Sequence, residues 1–173
     1  EADGSGGSRA VAQGVVGEIV AAGGRAVADT NSVATGEGAA AIVQTALGHF
    51  GKVTVLVNNA GTIAYARLSE IGDTDWRRML SVTLDGTFHM SRAVWPLMAA
   101  QGYGRIVNTT SNAGFAGNET LAHYGAAKLG VAGLTKCMAQ EVGDSGICVN
   151  AVAPMAVTRM NREVFFGGAV VEG

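Results

Sequence analysis

The sequence predicts an α/β domain built on a parallel sheet with helices on both faces, and three observations carry that reading. Segments with helical apolar spacing alternate with short apolar runs along the chain, the order that βαβ units produce. One of those runs, Val53-Thr54-Val55-Leu56-Val57, is dense in β-branched residues without polar alternation, which marks a strand covered on both faces. Neither an internal repeat nor a linker interrupts the alternation, so residues 1–173 read as a single domain.

The elements follow in order. Residues 1–8 are Gly/Ser-rich and read as a loop. From Ser8 a helical pattern sets Val11, Val15, Ile19 and Val20 on one side, closed by Gly23-Gly24. Arg25 to Ala28 is a short apolar run and a strand candidate, and the small polar residues from Asp29 to Gly38 read as loop. Ala39 to Phe50 has helical spacing through Ile42, Val43, Ala46 and Leu47, ended by Gly51. The strand at 53–57 is stopped by Asn58-Asn59-Ala60-Gly61. Asp73 or Thr74 then caps a long helix through Trp76, Met79, Leu80, Leu84 and Phe88 toward Met98. Gly102 to Gly104 breaks it before a strand at 105–109. Gly114 to Thr120 reads as loop, His123 to Val142 as helix, and Ile147 to Val152 as a last strand before Pro154.

Composition narrows the function classes. Apolar residues at 48 % and charged residues at 15 % exclude a disordered chain or a coiled coil. A net charge of −2 lacks the cationic field on which non-specific nucleic-acid binding relies. No run reaches the ~18 apolar residues of a membrane span. The first residues carry no basic-then-apolar signal segment, so a cytoplasmic protein without membrane or nucleic-acid partners is expected. Cys137 and Cys148 lie among apolar neighbours without metal-ligand spacing and predict reduced, buried thiols. His49 and His89 are isolated, so no metal site is expected. The methionines read as core or pocket lining, and Trp76 and Trp95 as buried within one subunit or packed on a partner's helix.

Ligands of open α/β sheets bind at the carboxyl ends of the strands. Asn58-Asn59-Ala60-Gly61 ends one strand and is small enough for a flat ligand to approach; equally, it suits a turn whose asparagines satisfy their own backbone. The strand at 105–109 leads into Thr110-Ser111-Asn112. The next helix sets Tyr124 and Lys128 four residues apart, on one face. A free phenol is a poor base at neutral pH, and a nearby ammonium favours its ionised form. A serine hydroxyl from the neighbouring strand end can bond the same substrate oxygen. Such a set suits proton transfer at a carbinol oxygen while a hydride leaves or joins its carbon. His123, displaced roughly 100° around the helix from Tyr124, reads as solvated.

Asn58-Asn59-Ala60-Gly61, Ser111, Tyr124-Gly125-Ala126-Ala127-Lys128 and Asn150-Ala151-Val152-Ala153-Pro154 together resemble the short-chain dehydrogenase/reductase family, through essentially the whole chain. Finer features are similar to its (3R)-hydroxyacyl-CoA dehydrogenase branch, found in multifunctional β-oxidation enzymes: Gly23 to Ala28, Ser32-Val33, Tyr103 to Val107 and Pro154 to Met160. The resemblance implies a Rossmann-like doubly wound sheet and an NAD(P)-dependent oxidoreductase interconverting a secondary alcohol and a ketone. Its substrate would be a small alcohol, ketone or 3-hydroxyacyl thioester. NAD is implied through the branch, NADP is not excluded, and a homodimer or homotetramer is expected. Tyr124 would be the general acid/base, Lys128 would favour its ionised form and hold the nicotinamide ribose, and Ser111 would orient the substrate oxygen. Asn59, Ala60 and Gly61 would line the adenosine side of the cofactor with Ser32 and Val33 near the adenine. Ala156, Val157 and Thr158 would sit by the nicotinamide and diphosphate.

The chain departs from the family pattern in three places. The glycine fingerprint Thr-Gly-x-x-x-Gly-x-Gly is absent, so the sheet is expected to lack the family's first two strands, and the last strand is unlike the family's. The family's catalytic-site asparagine is replaced by Thr83, in Val82-Thr83-Leu84, which reads either as a shorter catalytic hydrogen-bonding group or as a helix residue bonded to its own backbone. Pro154-Met155 stands for the usual Pro-Gly. These departures leave a second reading open, a truncated, non-catalytic family member acting as a binding partner or a decayed fragment.

Overall fold

The computed structural model describes residues 9–155. Its elements are α1 (Arg9–Ala21), α2 (Gly36–Phe50), β1 (Val55–Asn58), α3 (Asp73–Leu80), α4 (Gly86–Gln101), β2 (Gly104–Thr109), α5 (Asn112–Ala116), α6 (Ala122–Glu141) and β3 (Ile147–Val152). A 3-10 turn at Leu68–Glu70 precedes α3, and a π-turn at Ser81–Asp85 joins α3 to α4. Among the described residues the sheet has three strands in the order β1-β2-β3, all parallel.

The register sets the two faces. Leu56 lies opposite Ile106, and Ile106 opposite Val149, so these side chains share one face. That face is buried under α4 and α6, with α2 packed on α4. Val43, Met90, Val94, Met98 and Met138 fill the layer between sheet and helices. Fully burying such a side chain contributes roughly 1.5–3 kcal/mol, so this layer is the main source of stability.

The opposite face differs from expectation. Val55 and Val57 are exposed, Val57 at 58 %, as is Cys148 opposite Arg105 on the same face. No described helix packs there, and the run read as covered on both faces is covered on one. The two cysteines, read as buried, are both exposed: Cys148 on this open face and Cys137 on the outer side of α6. Arg25 to Ala28 is not a strand, because no described strand lies beside it to complete a ladder. Helix α1 forms, yet Val11, Val15, Ile19 and Val20 are all exposed. The loop read at 114–120 begins as α5, and Gly72, with no side-chain bond, caps α3 where Asp73 or Thr74 was expected. Asp73 instead lies in the first turn, where its charge complements the helix dipole.

The long helix is one rod with a defect. Gly102, at φ 63°, ends it in the left-handed conformation that glycine adopts without strain. Trp95 packs against the core as expected, whereas Trp76 stays exposed. Met79, Met90, Met98 and Met138 are buried, Met155 is exposed, and Met160 lies outside the described residues.

Buried amides tie the sheet to the helices. Asn58 Nδ2 donates to Ser91 Oγ at 3.0 Å and to Asn108 Oδ1 at 2.8 Å. Asn108 Nδ2 donates to Thr135 Oγ1 at 2.9 Å, and Thr135 donates to the Val131 carbonyl at 2.7 Å. Asn58 therefore bridges β1 to α4 and β2 rather than closing its own turn. In a low-dielectric interior this chain of bonds fixes the strand ends in one arrangement.

Candidate active site

The site lies at the carboxyl ends of β1 and β2, where α6 returns across them. Lys128 is 4 % exposed, and its ammonium donates to the Thr109 carbonyl at 2.7 Å. Thr110, next in the chain, donates its hydroxyl to the Lys128 carbonyl at 2.6 Å, so side chain and backbone of Lys128 are both tied to the end of β2. Burial lowers the Lys128 pKa to about 8. Its Nζ stands 5.8 Å from the centre of the half-buried Tyr124 ring, within cation–π range.

Glycines let the surrounding backbone close in. A Cβ on Gly61 would lie 3.7 Å from Lys128 Nζ and 3.7 Å from Thr83 Oγ1, so the turn after β1 meets both groups at one point. Asn59, Ala60 and Gly61 are exposed, and Asn59 Oδ1 accepts from the Thr109 hydroxyl at 3.2 Å, joining the ends of β1 and β2. A Cβ on Gly125 would lie 2.9 Å from the Ala113 carbonyl, so only glycine beside Tyr124 lets α5 pack this closely. Ser111 caps α5, accepting from the Ala113 N–H at 3.2 Å, and this packing brings it to the Tyr124 end of α6.

Thr83 sits in the π-turn, where the extra residue per turn shifts the helix register. It is 1 % exposed, and its hydroxyl lies 3.8 Å from Met79 Sδ, a weak acceptor, rather than on a backbone carbonyl. Its own carbonyl accepts from the Thr87 hydroxyl at 2.8 Å. Three residues on, Gly86 faces Val33, whose Cγ2 would lie 2.8 Å from a Cβ there. Val33 thus packs on the long helix next to the π-turn, while Ser32 is exposed and accepts from the Ala34 N–H at 3.2 Å.

The structure therefore draws Thr83, Gly61, Lys128 and Tyr124 together, with Ser111 on the adjoining turn and Asn59 and Ala60 at the rim. Ala156, Val157 and Thr158 lie outside the described residues. His123, read as solvated, is 1 % exposed, and its Nδ1 has no partner. The face of α6 that carries it packs against α3, which helical spacing alone does not reveal. Asn58, Asn108, Ser91 and Thr135 were not singled out as a group by the sequence reading. The signal available was one buried amide at the end of each of two neighbouring strands.

A sequence profile of the short chain dehydrogenase family matches residues 6–166. The chain belongs to this family. Among similar proteins, the peroxisomal hydratase-dehydrogenase-epimerase of Neurospora crassa is 41 % identical over 93 % of the chain, which covers 18 % of that protein. A 3-oxoacyl-[acyl-carrier-protein] reductase of Synechocystis is 43 % identical over 85 % of the chain, covering 60 % of the relative. The crystal structure of a short chain dehydrogenase from Mycobacterium avium superposes with a TM-score of 0.80 at 44 % identity, over 90 % of this chain and 55 % of that one. The chain thus spans a little over half the length of single-domain short chain dehydrogenases. The Rossmann-like α/β class expected from the sequence is the one found, and the branch expectation agrees with these relatives. No helix among the described residues is long and apolar enough to cross a membrane.

The short chain dehydrogenase family uses nicotinamide dinucleotides, and the Lys128 corner has the donor chemistry to fit a hydroxyl-bearing part of such a group. One of the three N–H groups of the Lys128 ammonium is used on Thr109. The ammonium also borders the exposed, small Ala60-Gly61 turn, where a ribose hydroxyl can approach it.

Proposed function

We propose that the complete protein is an NAD(P)-dependent oxidoreductase that interconverts a secondary alcohol and a ketone, with Tyr124 as the general acid/base. The observation that carries this reading is the buried Lys128 ammonium held 5.8 Å from the Tyr124 ring at the strand ends. In the oxidation direction, the Tyr124 phenolate oxygen takes the proton from the substrate carbinol, and in reduction the phenol returns it. The Lys128 charge stabilises the negative charge on that oxygen, and weakly solvated surroundings strengthen the attraction. Ser111 donates to the substrate oxygen and fixes it toward Tyr124. Thr83, meeting Lys128 at Gly61, holds a hydroxyl where a water can pass a proton toward the ammonium. A bound nicotinamide dinucleotide supplies the hydride acceptor or donor.

Lys128, Asn59, Ala60 and Gly61 would hold that dinucleotide, with Ser32 and Val33 toward the adenine and Ala156, Val157 and Thr158 at the nicotinamide. NAD is favoured over NADP by the relation to the hydratase-dehydrogenase proteins. A 3-hydroxyacyl or 3-oxoacyl thioester is the favoured substrate, supported by the names of the relatives from Neurospora crassa and Synechocystis. A homo-oligomer and a cytoplasmic location complete the proposal, the peroxisomal relatives naming the other compartment to examine.

The experiment is reduction of acetoacetyl-CoA by the complete protein with NADH and with NADPH, followed by nicotinamide absorbance. Turnover with either supports the reading. No turnover, together with no binding of either nucleotide, overturns it.

A further inference from the structure

A second phenol lies on a loop near the start of α6, the helix that carries Tyr124. Tyr65 lies on the loop that leaves β1, and that loop is tied to the segment entering α6. The Ala66 N–H donates to the Thr120 carbonyl at 3.0 Å, and Arg67 pairs with Glu119 at 3.6 Å. The Arg67 N–H is fixed in turn by Glu70 at 3.2 Å. Thr120 has φ 65°, a left-handed conformation that a β-branched residue holds only when its surroundings impose it. This strained residue receives the Tyr65 loop four positions before Tyr124. Tyr65 remains 44 % exposed and open to a ligand. Partial burial, and next the charge of Tyr124, push the Tyr65 phenol above its ordinary range. Tyr65 therefore keeps its O–H available to donate.

We propose that Tyr65 is a specificity-determining residue, whose O–H donates to a second oxygen of the substrate beside the carbinol or ketone oxygen served by Tyr124. The inference rests on the oxidoreductase reading above and deepens it. The favoured class carries a second oxygen near the reacting carbon, as a 3-oxoacyl thioester does in its thioester carbonyl. A simple monoketone gives Tyr65 nothing to bind.

Kinetics with two carbonyl probes test it. In the complete protein, Tyr65→Phe raises KM for acetoacetyl-CoA about 5–10-fold, as loss of one hydrogen bond implies, with the loss falling on KM rather than kcat. KM for 2-butanone rises far less. Equal effects on both probes, or none, overturn the proposal while leaving the oxidoreductase reading intact. A wild-type protein that turns over neither probe instead removes that reading, and the specificity role with it.

Discussion

Lys128 and Thr109 form the joint on which the site depends: the buried ammonium donates to the last carbonyl of β2 at 2.7 Å. This bond places a cation at the strand end and aims it along α6 toward Tyr124. It also makes stability depend on pH. The folded-state pKa of about 8 lies below the ordinary lysine value near 10.4, so the unfolded chain holds more protons between them. Stability therefore rises with pH across that window, because the cost of burying the charge is removed as the folded protein releases its proton. Thermal unfolding of wild-type and Lys128→Met protein should show it. Relative to the variant, the wild type gains up to about 3 kcal/mol between pH 7 and pH 10. A constant difference contradicts this origin of the shift.

His123 titrates with the same sign but at lower pH. Burial holds its imidazole below the ordinary histidine range, opposed by Asp75, so folding favours the neutral ring. That preference contributes fully above about pH 6.5 and is lost as pH falls further. His123→Phe should flatten the stability profile between pH 7 and pH 5 in urea unfolding. An unchanged slope contradicts the buried placement of the ring.

Asn108 joins two other buried groups, accepting from Asn58 and donating to Thr135. Asn108→Ala removes one bond from each partner, leaving an Asn58 N–H unpaired beside a new cavity, and should cost about 2–4 kcal/mol in urea unfolding. A loss under about 0.5 kcal/mol would mean that the network contributes little to folding.

Thr83 offers a separate test of the proton path. Thr83→Val keeps the shape of the π-turn residue and removes the hydroxyl that meets Lys128 at Gly61. The expected outcome is a kcat lower by about ten-fold or more, with stability changed by less than about 1 kcal/mol. Unchanged kcat contradicts a role for the hydroxyl.

The placement of the candidate site residues was largely legible, because spacing alone carries it. Ser111, Tyr124 and Lys128 sit on elements whose periodicity is plain, and the helix repeat sets Tyr124 and Lys128 on one face. Strand β3 was bounded at both ends by turn residues and read correctly. What escaped depends on neighbours distant in sequence. Arg25 to Ala28 has strand composition, but a ladder needs a partner strand. His123 is buried by α3, and Cys148 is exposed because nothing among the described residues covers its face of the sheet. Tyr65 could not be placed from its own neighbours, since the Ala66–Thr120 bond that brings it near the start of α6 joins two loops.

The most direct test of the account is turnover by Tyr124→Phe in the complete protein, with nicotinamide nucleotide binding measured alongside. The phenol oxygen is the proposed proton carrier, and phenylalanine keeps the ring beside Lys128. Acetoacetyl-CoA reduction by this variant is expected to fall by at least about 100-fold, the lower range for loss of a general acid, while nucleotide binding persists. Retained turnover with Phe at this position would contradict it.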